Sequence, residues 1–196
     1  MHHVIQLHFD KATEDRLRKA AETLEAAGLN LSGTPAPRPH MTLASGSPAD
    51  VEKVSVELEK AFRTFPTQDV EFSYIGLFPI DAEHHVLYAG VSPSQELCKL
   101  QETVYEIFKR NGAEPFPHAR PGVMVFHSTL AMKISAAQLP RAMEMLKALV
   151  PLTGKFTNAG LVEYTSATEK ASFALAGKKL DVSPPHARNT CPSPKK

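Results

Sequence analysis

His40-Met41-Thr42-Leu43 and His127-Ser128-Thr129-Leu130 are two copies of one pattern, H-x-T-L, set far apart in a chain of 196 residues. In each copy the histidine and threonine are two residues apart. On a strand, residues two apart share a face. Each copy then presents one imidazole and one hydroxyl in the same direction. Two such pairs facing one another would make a symmetric site holding an acid, a base and two donors for an anion.

The chain around the motifs repeats as well. His3 to Phe9 alternates and is rich in strand formers. Thr13 to Ala27 reads as a helix, with Leu17, Ala20, Ala21, Leu24 and Ala27 at helical spacing and Gly28 as a stop. A proline-bearing loop, Asn30 to Pro39, leads into a motif strand from His40 to Ala44. Ser47-Pro48 is expected to open a helix reaching Arg63. Strands follow at Asp69 to Phe78 and His85 to Val91. The second round has a helix from Ser94 to Lys109, a loop from Glu114 to Gly122, and a motif strand from Met124 to Lys133. A helix from Ser135 to Leu149 and strands at Gly154 to Thr165 and Lys170 to Leu175 complete it. The order is helix, loop, motif strand, helix, strand, strand, performed twice. Connections of this length suit helices packed on sheets. The expected fold class is α+β with mixed layers: two antiparallel-rich sheets lining a central cleft, helices outside, and pseudo-twofold symmetry. One domain is expected over 1–181, made of two intertwined lobes. Residues 182–196 hold four prolines and little to bury, and read as a disordered tail.

Bulk properties narrow the partners. Formal net charge is +1, and 42% of residues are hydrophobic. Arg188, Lys195 and Lys196 lie in the tail, so the remainder is slightly acidic. A broad basic surface for long duplex nucleic acid is not implied. A small or terminal phosphate fits better. No apolar run approaches the roughly 18 residues of a membrane-spanning helix. No signal peptide is apparent. The two cysteines, Cys98 and Cys191, make a poor disulfide framework. That spacing suits a reducing compartment, and a cytoplasmic monomer is expected.

Two histidines form the simplest acid–base couple near neutral pH. Phosphodiester cleavage needs two proton transfers on opposite sides of phosphorus. It also needs donors for the charge that grows on the equatorial oxygens. Thr42 and Thr129 would supply those donors, and this chemistry asks for no metal or other cofactor. The rival zinc reading would need a third ligand such as His118, yet neither H-E-x-x-H nor paired-cysteine spacing is present. Gly46-Ser47-Pro48 does not form a nucleophile elbow.

On these motifs the chain resembles the 2H phosphoesterase superfamily, also known as the 2'-5' RNA ligase family. Its hallmark is two H-x-[ST]-x motifs, one per lobe. Arg38-Pro39 directly precedes the first motif, as in bacterial members. The resemblance covers roughly residues 3 to 176. It implies metal-independent hydrolysis of a 2',3'-cyclic phosphate to a 2'-phosphate, on RNA ends or small cyclic nucleotides. It further implies that His127 activates water and His40 protonates the departing 3' oxygen, with Thr42 and Thr129 clamping the phosphate. The sequence departs from ligase-like members just before the second histidine, where Val125-Phe126 stands in place of proline or arginine. Reversible 2'-5' RNA ligation and non-catalytic binding of nucleotides or RNA ends are the alternative readings.

Further candidates lie around the motifs. Arg38 and Arg120 sit in the loops feeding the two motif strands and could reach a phosphate. His118 could hydrogen-bond substrate. Phe9, Phe78 and Tyr88 are candidates for stacking on a nucleobase. His8 shares a strand face with Gln6 and Val4, opposite the apolar set Phe9, Leu7 and Ile5, so it faces the cleft or solvent.

Overall fold

The computed structural model describes residues 1–29 and 38–176. The expected tail and domain end lie outside these residues. The elements run β1 (His3–Phe9), α1 (Lys11–Ala26), β2 (His40–Gly46), α2 (Val51–Thr64), β3 (Asp69–Pro79) and β4 (His84–Val91). They continue with α3 (Gln95–Arg110), β5 (His127–Ser135), α4 (Leu139–Leu146), β6 (Leu152–Glu163) and β7 (Thr168–Ala174). The twofold order read from the sequence is present.

The helix ends follow local chemistry. Asp10 caps α1 by accepting from the Thr13 amide at 3.0 Å. Gly28 ends the helix at φ 71°, where a side chain would be strained. Ser94 caps α3 through the Leu97 amide. Two expectations need correction. The cap of α2 is Asp50, which accepts from the Lys53 amide at 2.8 Å, and Ser47-Pro48 lies ahead of the helix. The helix expected from Ser135 to Leu149 is a 3-10 turn, Ala136–Gln138, followed by α4. Pro140 has no amide hydrogen to bond back to Ala136, so an α-helix starting at Ser135 would lack that bond. Of the two cysteines, Cys98 lies on α3 and Cys191 lies outside the described residues.

All strand pairs in the sheets are antiparallel. One ladder runs β2-β1-β6-β7 and the other β5-β4-β3-β6. The long strand β6 belongs to both. Leu152 to Lys155 pair with β3, and Phe156 to Glu163 pair with β1. The fold is therefore α+β with antiparallel sheets and peripheral helices, as expected. The motif strands β2 and β5 are the outer strands of the two ladders, and they touch each other.

The helices cross between the halves. α1 follows β1 but packs on β5, beside α4. α3 follows β4 but packs on β2, beside α2, which covers β7. One core results, with Ile5, Leu7, Met41, Leu43, Leu130 and Phe156 all buried.

Candidate active site

The two motifs sit in matching registers. Across the β1–β2 ladder His40 faces His8 and Thr42 faces Gln6. Across β4–β5 His127 faces Gly90 and Thr129 faces Tyr88. The next strand adds a third position to each row. Asn158 lies beyond His8 and Gly160 beyond Gln6. Tyr74 lies beyond Gly90 and Gly76 beyond Tyr88.

Both ladders then slip by one residue at the same place. Gln6 pairs with Thr42 but Ile5 with Ala44, so Leu43 is the extra residue. Tyr88 pairs with Thr129 but Leu87 with Ala131, so Leu130 is the extra residue. The leucine of each motif is thus the inserted residue of a β-bulge, and both leucines are buried. A bulge bends its strand and raises its twist. The fourth motif position therefore shapes the backbone directly after the histidine–threonine pair.

The histidines are held alike. His40 Nδ1 lies 2.8 Å from the carbonyl oxygen of Arg38. His127 Nδ1 lies 2.8 Å from the carbonyl oxygen of Val125. A carbonyl only accepts, so Nδ1–H donates in both rings. Each ring keeps Nε2 for a proton taken or given. Burial lowers the proton affinity of both imidazoles, and the Nδ1 hydrogen bonds oppose that effect. Charge on His127 lowers His40 further, and charge on His118 lowers His127.

Such a pair can move two protons at one phosphate while the threonine hydroxyls donate to its oxygens. The sequence as a whole points the same way: residues 10–168 match the family model described as the 2'-5' RNA ligase superfamily. The chain belongs to this superfamily.

Solved structures share the fold of this 2'-5' RNA ligase superfamily member. LigT of E. coli in apo form matches with TM-score 0.60 at 15% identity, over 89% of this chain and 96% of that one. TT0787 of Thermus thermophilus matches with TM-score 0.63 at 16% identity, over 91% of this chain and 100% of that one. Usb1 of Kluyveromyces marxianus matches with TM-score 0.51 at 11% identity, over 89% and 98%. E. coli LigT has also been crystallised in complex with 3'-AMP. No curated protein sequence matches the chain.

The other candidates in this superfamily member separate clearly. Tyr88 and Phe78 stack at 4.2 Å between ring centroids. They approach the His127 ring at 5.1 and 4.9 Å. Tyr88 is 6% exposed, and Tyr74, which the sequence did not single out, meets it edge-on. Glycines make the room: a Cβ at Gly76 would strike Tyr88, and one at Gly90 would strike Tyr74. Phe9 is a correction. It is 2% exposed and packs between Phe72 and Phe156, so no base can stack on it. Its strand face is the core face, as the alternation of Ile5, Leu7 and Phe9 requires.

Arg38 stands beside the first motif, but its guanidinium is engaged. It pairs with Glu14 at 2.7 Å and approaches His8 Nδ1 at 3.1 Å. Asn158 Nδ2 also lies 3.1 Å from His8 Nδ1. Both neighbours are donors, so His8 Nδ1 accepts and that ring is neutral. Burial, then the charges of Arg38 and His40, lower its pKa to about 4. Arg120 is exposed, and its Nε donates to the Pro117 carbonyl at 3.1 Å. His118 is exposed and stacks on Phe116 at 5.4 Å, yet its charge reaches His127.

Gln101 was not foreseen. It is buried on α3 and its Nε2 donates to the carbonyls of Leu43 and Ala119. It ties the first bulge to the loop feeding the second motif. The signal in the sequence was a polar residue on the apolar stripe of Leu97, Val104 and Phe108. Asn158 gave no signal in the sequence. Among the described residues no group of three or more histidine, cysteine or acidic side chains is arranged to hold a metal ion, and no helix is long and apolar enough to cross a membrane.

Proposed function

We propose that this chain hydrolyses 2',3'-cyclic phosphodiesters, at RNA ends or on small nucleotides, to the 2'-phosphate. The observation that carries the reading is the duplicated frame. Two histidines with Nδ1 fixed on a backbone carbonyl each stand two residues from a threonine, on strands that touch. One imidazole accepts the proton of the attacking water. The other delivers a proton to the departing ribose oxygen. Thr42 and Thr129 donate to the non-bridging oxygens as charge builds there. The aromatic pair Phe78 and Tyr88 beside His127 supports a nucleoside as the organic part. The 3'-AMP complex of E. coli LigT, a protein of the same fold, supports a nucleotide-sized occupant. Arg38 assists by position: held by Glu14, it keeps His8 neutral beside His40. His118 and Arg120 are exposed on the loop that feeds β5 and are further candidates for contact with the substrate.

The test is turnover of a 2',3'-cyclic nucleotide with and without excess chelator, with the product phosphate position read by chromatography. His40→Asn and His127→Asn are each expected to lose about a hundredfold to ten-thousandfold in rate. Both should retain the thermal transition of the parent. Full activity in either variant overturns the reading. Joining of 2'-5' ends under the same conditions would replace it with ligation, and binding without turnover would replace it with recognition alone.

A further inference from the structure

The sheet face that carries the first motif continues well past it. On β1, Val4 and Gln6 share the face of His8, and His2 extends the alternation one step beyond the strand. On β6, Gly160 and Val162 share the face of Asn158, and Tyr164 extends it in the same way. Gln6 pairs with Gly160 and Val4 with Val162, and the Tyr164 amide donates to the His2 carbonyl. The rings of His2 and Tyr164 meet edge-on, 5.6 Å between centroids. Gln6 faces Thr42, and His2 lies one further stretch of β1 away, roughly 13 Å along the strand.

The loop that feeds β5 runs beside β2 over the same interval. At one end a Cβ on Gly46 would meet Ala113 and the Glu114 carbonyl. At the other, Gln101 donates to the carbonyls of both Leu43 and Ala119. Between these ends Phe116 packs its ring on His2 at 5.2 Å and on His118 at 5.4 Å. The charge of His118 is felt at His127. Four rings therefore form an unbroken row from the second motif histidine outward: His118, Phe116, His2, Tyr164. Phe116 is 46% exposed and Tyr164 68%, and neither belongs to the buried core. Rings this open contribute only part of the burial energy of a core aromatic, and grouped in contact they form a surface fit for a ligand.

We infer that this row is a binding track for the single-stranded RNA attached to the reacting phosphate, with bases lying on Phe116 and Tyr164. The inference rests on the function proposed above and deepens it: the substrate is an RNA end several nucleotides long rather than a mononucleotide. Every base has a π face, so a row of rings holds a strand without reading its sequence. The rings stand 5.2 to 5.6 Å apart. A base slipped between two of them would need roughly 7 Å, twice the rise of a stacked base, so the bases lie on the outward surfaces. The row starts within electrostatic reach of His127 and leads away from it, as a strand with one reacting end requires. Exposed Arg120 adds a positive charge on the same loop.

The probes are a 2',3'-cyclic mononucleotide, a tetranucleotide ending in the same cyclic phosphate, and that tetranucleotide with its leading sugars stripped of bases. The parent's kcat/KM is expected to be at least about tenfold higher on the complete tetranucleotide than on either other probe. In the double variant Phe116→Ser, Tyr164→Ser that preference should shrink to about twofold or less. Both side chains are exposed, so the variant should keep the parent's thermal transition. A parent without the preference, a preference that survives in the variant, or one shared by the base-free tetranucleotide overturns the inference. So does a parent dimer, seen by light scattering, that the variant splits, since the row would then join two copies of the chain. A parent that turns over none of the probes overturns the proposed function instead. The row is then read by anisotropy of a labelled tetranucleotide ending in a 2'-phosphate. Binding at least about tenfold weaker in the variant is expected, and equal binding overturns the inference.

Discussion

His8 stands directly opposite His40 across the β1–β2 ladder, on the same face of the sheet. The two imidazoles are prepared in opposite ways. His40 donates from Nδ1 to a carbonyl, whereas His8 accepts at Nδ1 from Arg38 and Asn158. The folded protein therefore resists protonation of His8, whose pKa falls from 6.5 to about 4. The unfolded chain does not resist it. Stability from this group is complete above the ordinary value and is lost as pH falls toward the folded one, up to about 3 kcal/mol. His8→Asn keeps an acceptor near the Nδ1 position and cannot titrate. Its melting temperature should fall less than the parent's between about pH 7 and about pH 4.5. An identical fall in both proteins would contradict the depressed His8.

The rate profile carries a different signature. Burial lowers both His40 and His127 below the ordinary imidazole range. The free enzyme needs one neutral and one protonated ring. Its kcat/KM should be bell-shaped with an optimum below about pH 6.5, falling through neutrality as the acid loses its proton. His118→Gln removes a positive neighbour of His127 and should move one limb upward. An optimum well above neutrality would count against both shifts.

Gln101 tests the link between the halves. Gln101→Leu leaves the Leu43 and Ala119 carbonyls without their donor, at a cost of roughly 1–3 kcal/mol. Gln101→Glu sets a carboxylate against the same two oxygens and should cost more. Leu43 follows Thr42 directly, so both variants should lower kcat at temperatures where they remain folded. Calorimetry together with kcat on folded protein checks this. Unchanged kcat would confine Gln101 to the core.

Ser128 offers the opposite outcome. Its side chain is 1% exposed, and its hydroxyl has no hydrogen-bond partner among the described residues. The matching position in the first motif is Met41, which is wholly buried. Ser128→Ala removes an unsatisfied hydroxyl and should raise stability by about 1 kcal/mol, read as a higher denaturant midpoint. A lower midpoint would mean that the hydroxyl is satisfied in solution.

Much of the fold was legible because its signals are local. The alternation of Ile5, Leu7 and Phe9 and the stop at Gly28 act within a few residues. The motif histidines were legible because they recur in equivalent places. What was hidden depends on strand register. Nothing local tells that His8 meets His40, that Asn158 completes the row, or that Leu43 and Leu130 are bulged. Phe9 misled for a related reason: an aromatic residue on a strand has two faces to choose from, and here packing against Phe72 and Phe156 decided the choice.

The sharing of β6 and the crossing of α1 and α3 bear on how such a chain can change over generations. A cut between the halves would leave one sheet without its central strand and each motif strand without its covering helix. The two halves cannot be shuffled, lost or replaced as separate cassettes. Each histidine has diverged inside a partnership it cannot leave, which leaves the strands behind them, with Gln6 on one side and Tyr88 on the other, as the ground on which new specificities can be tried.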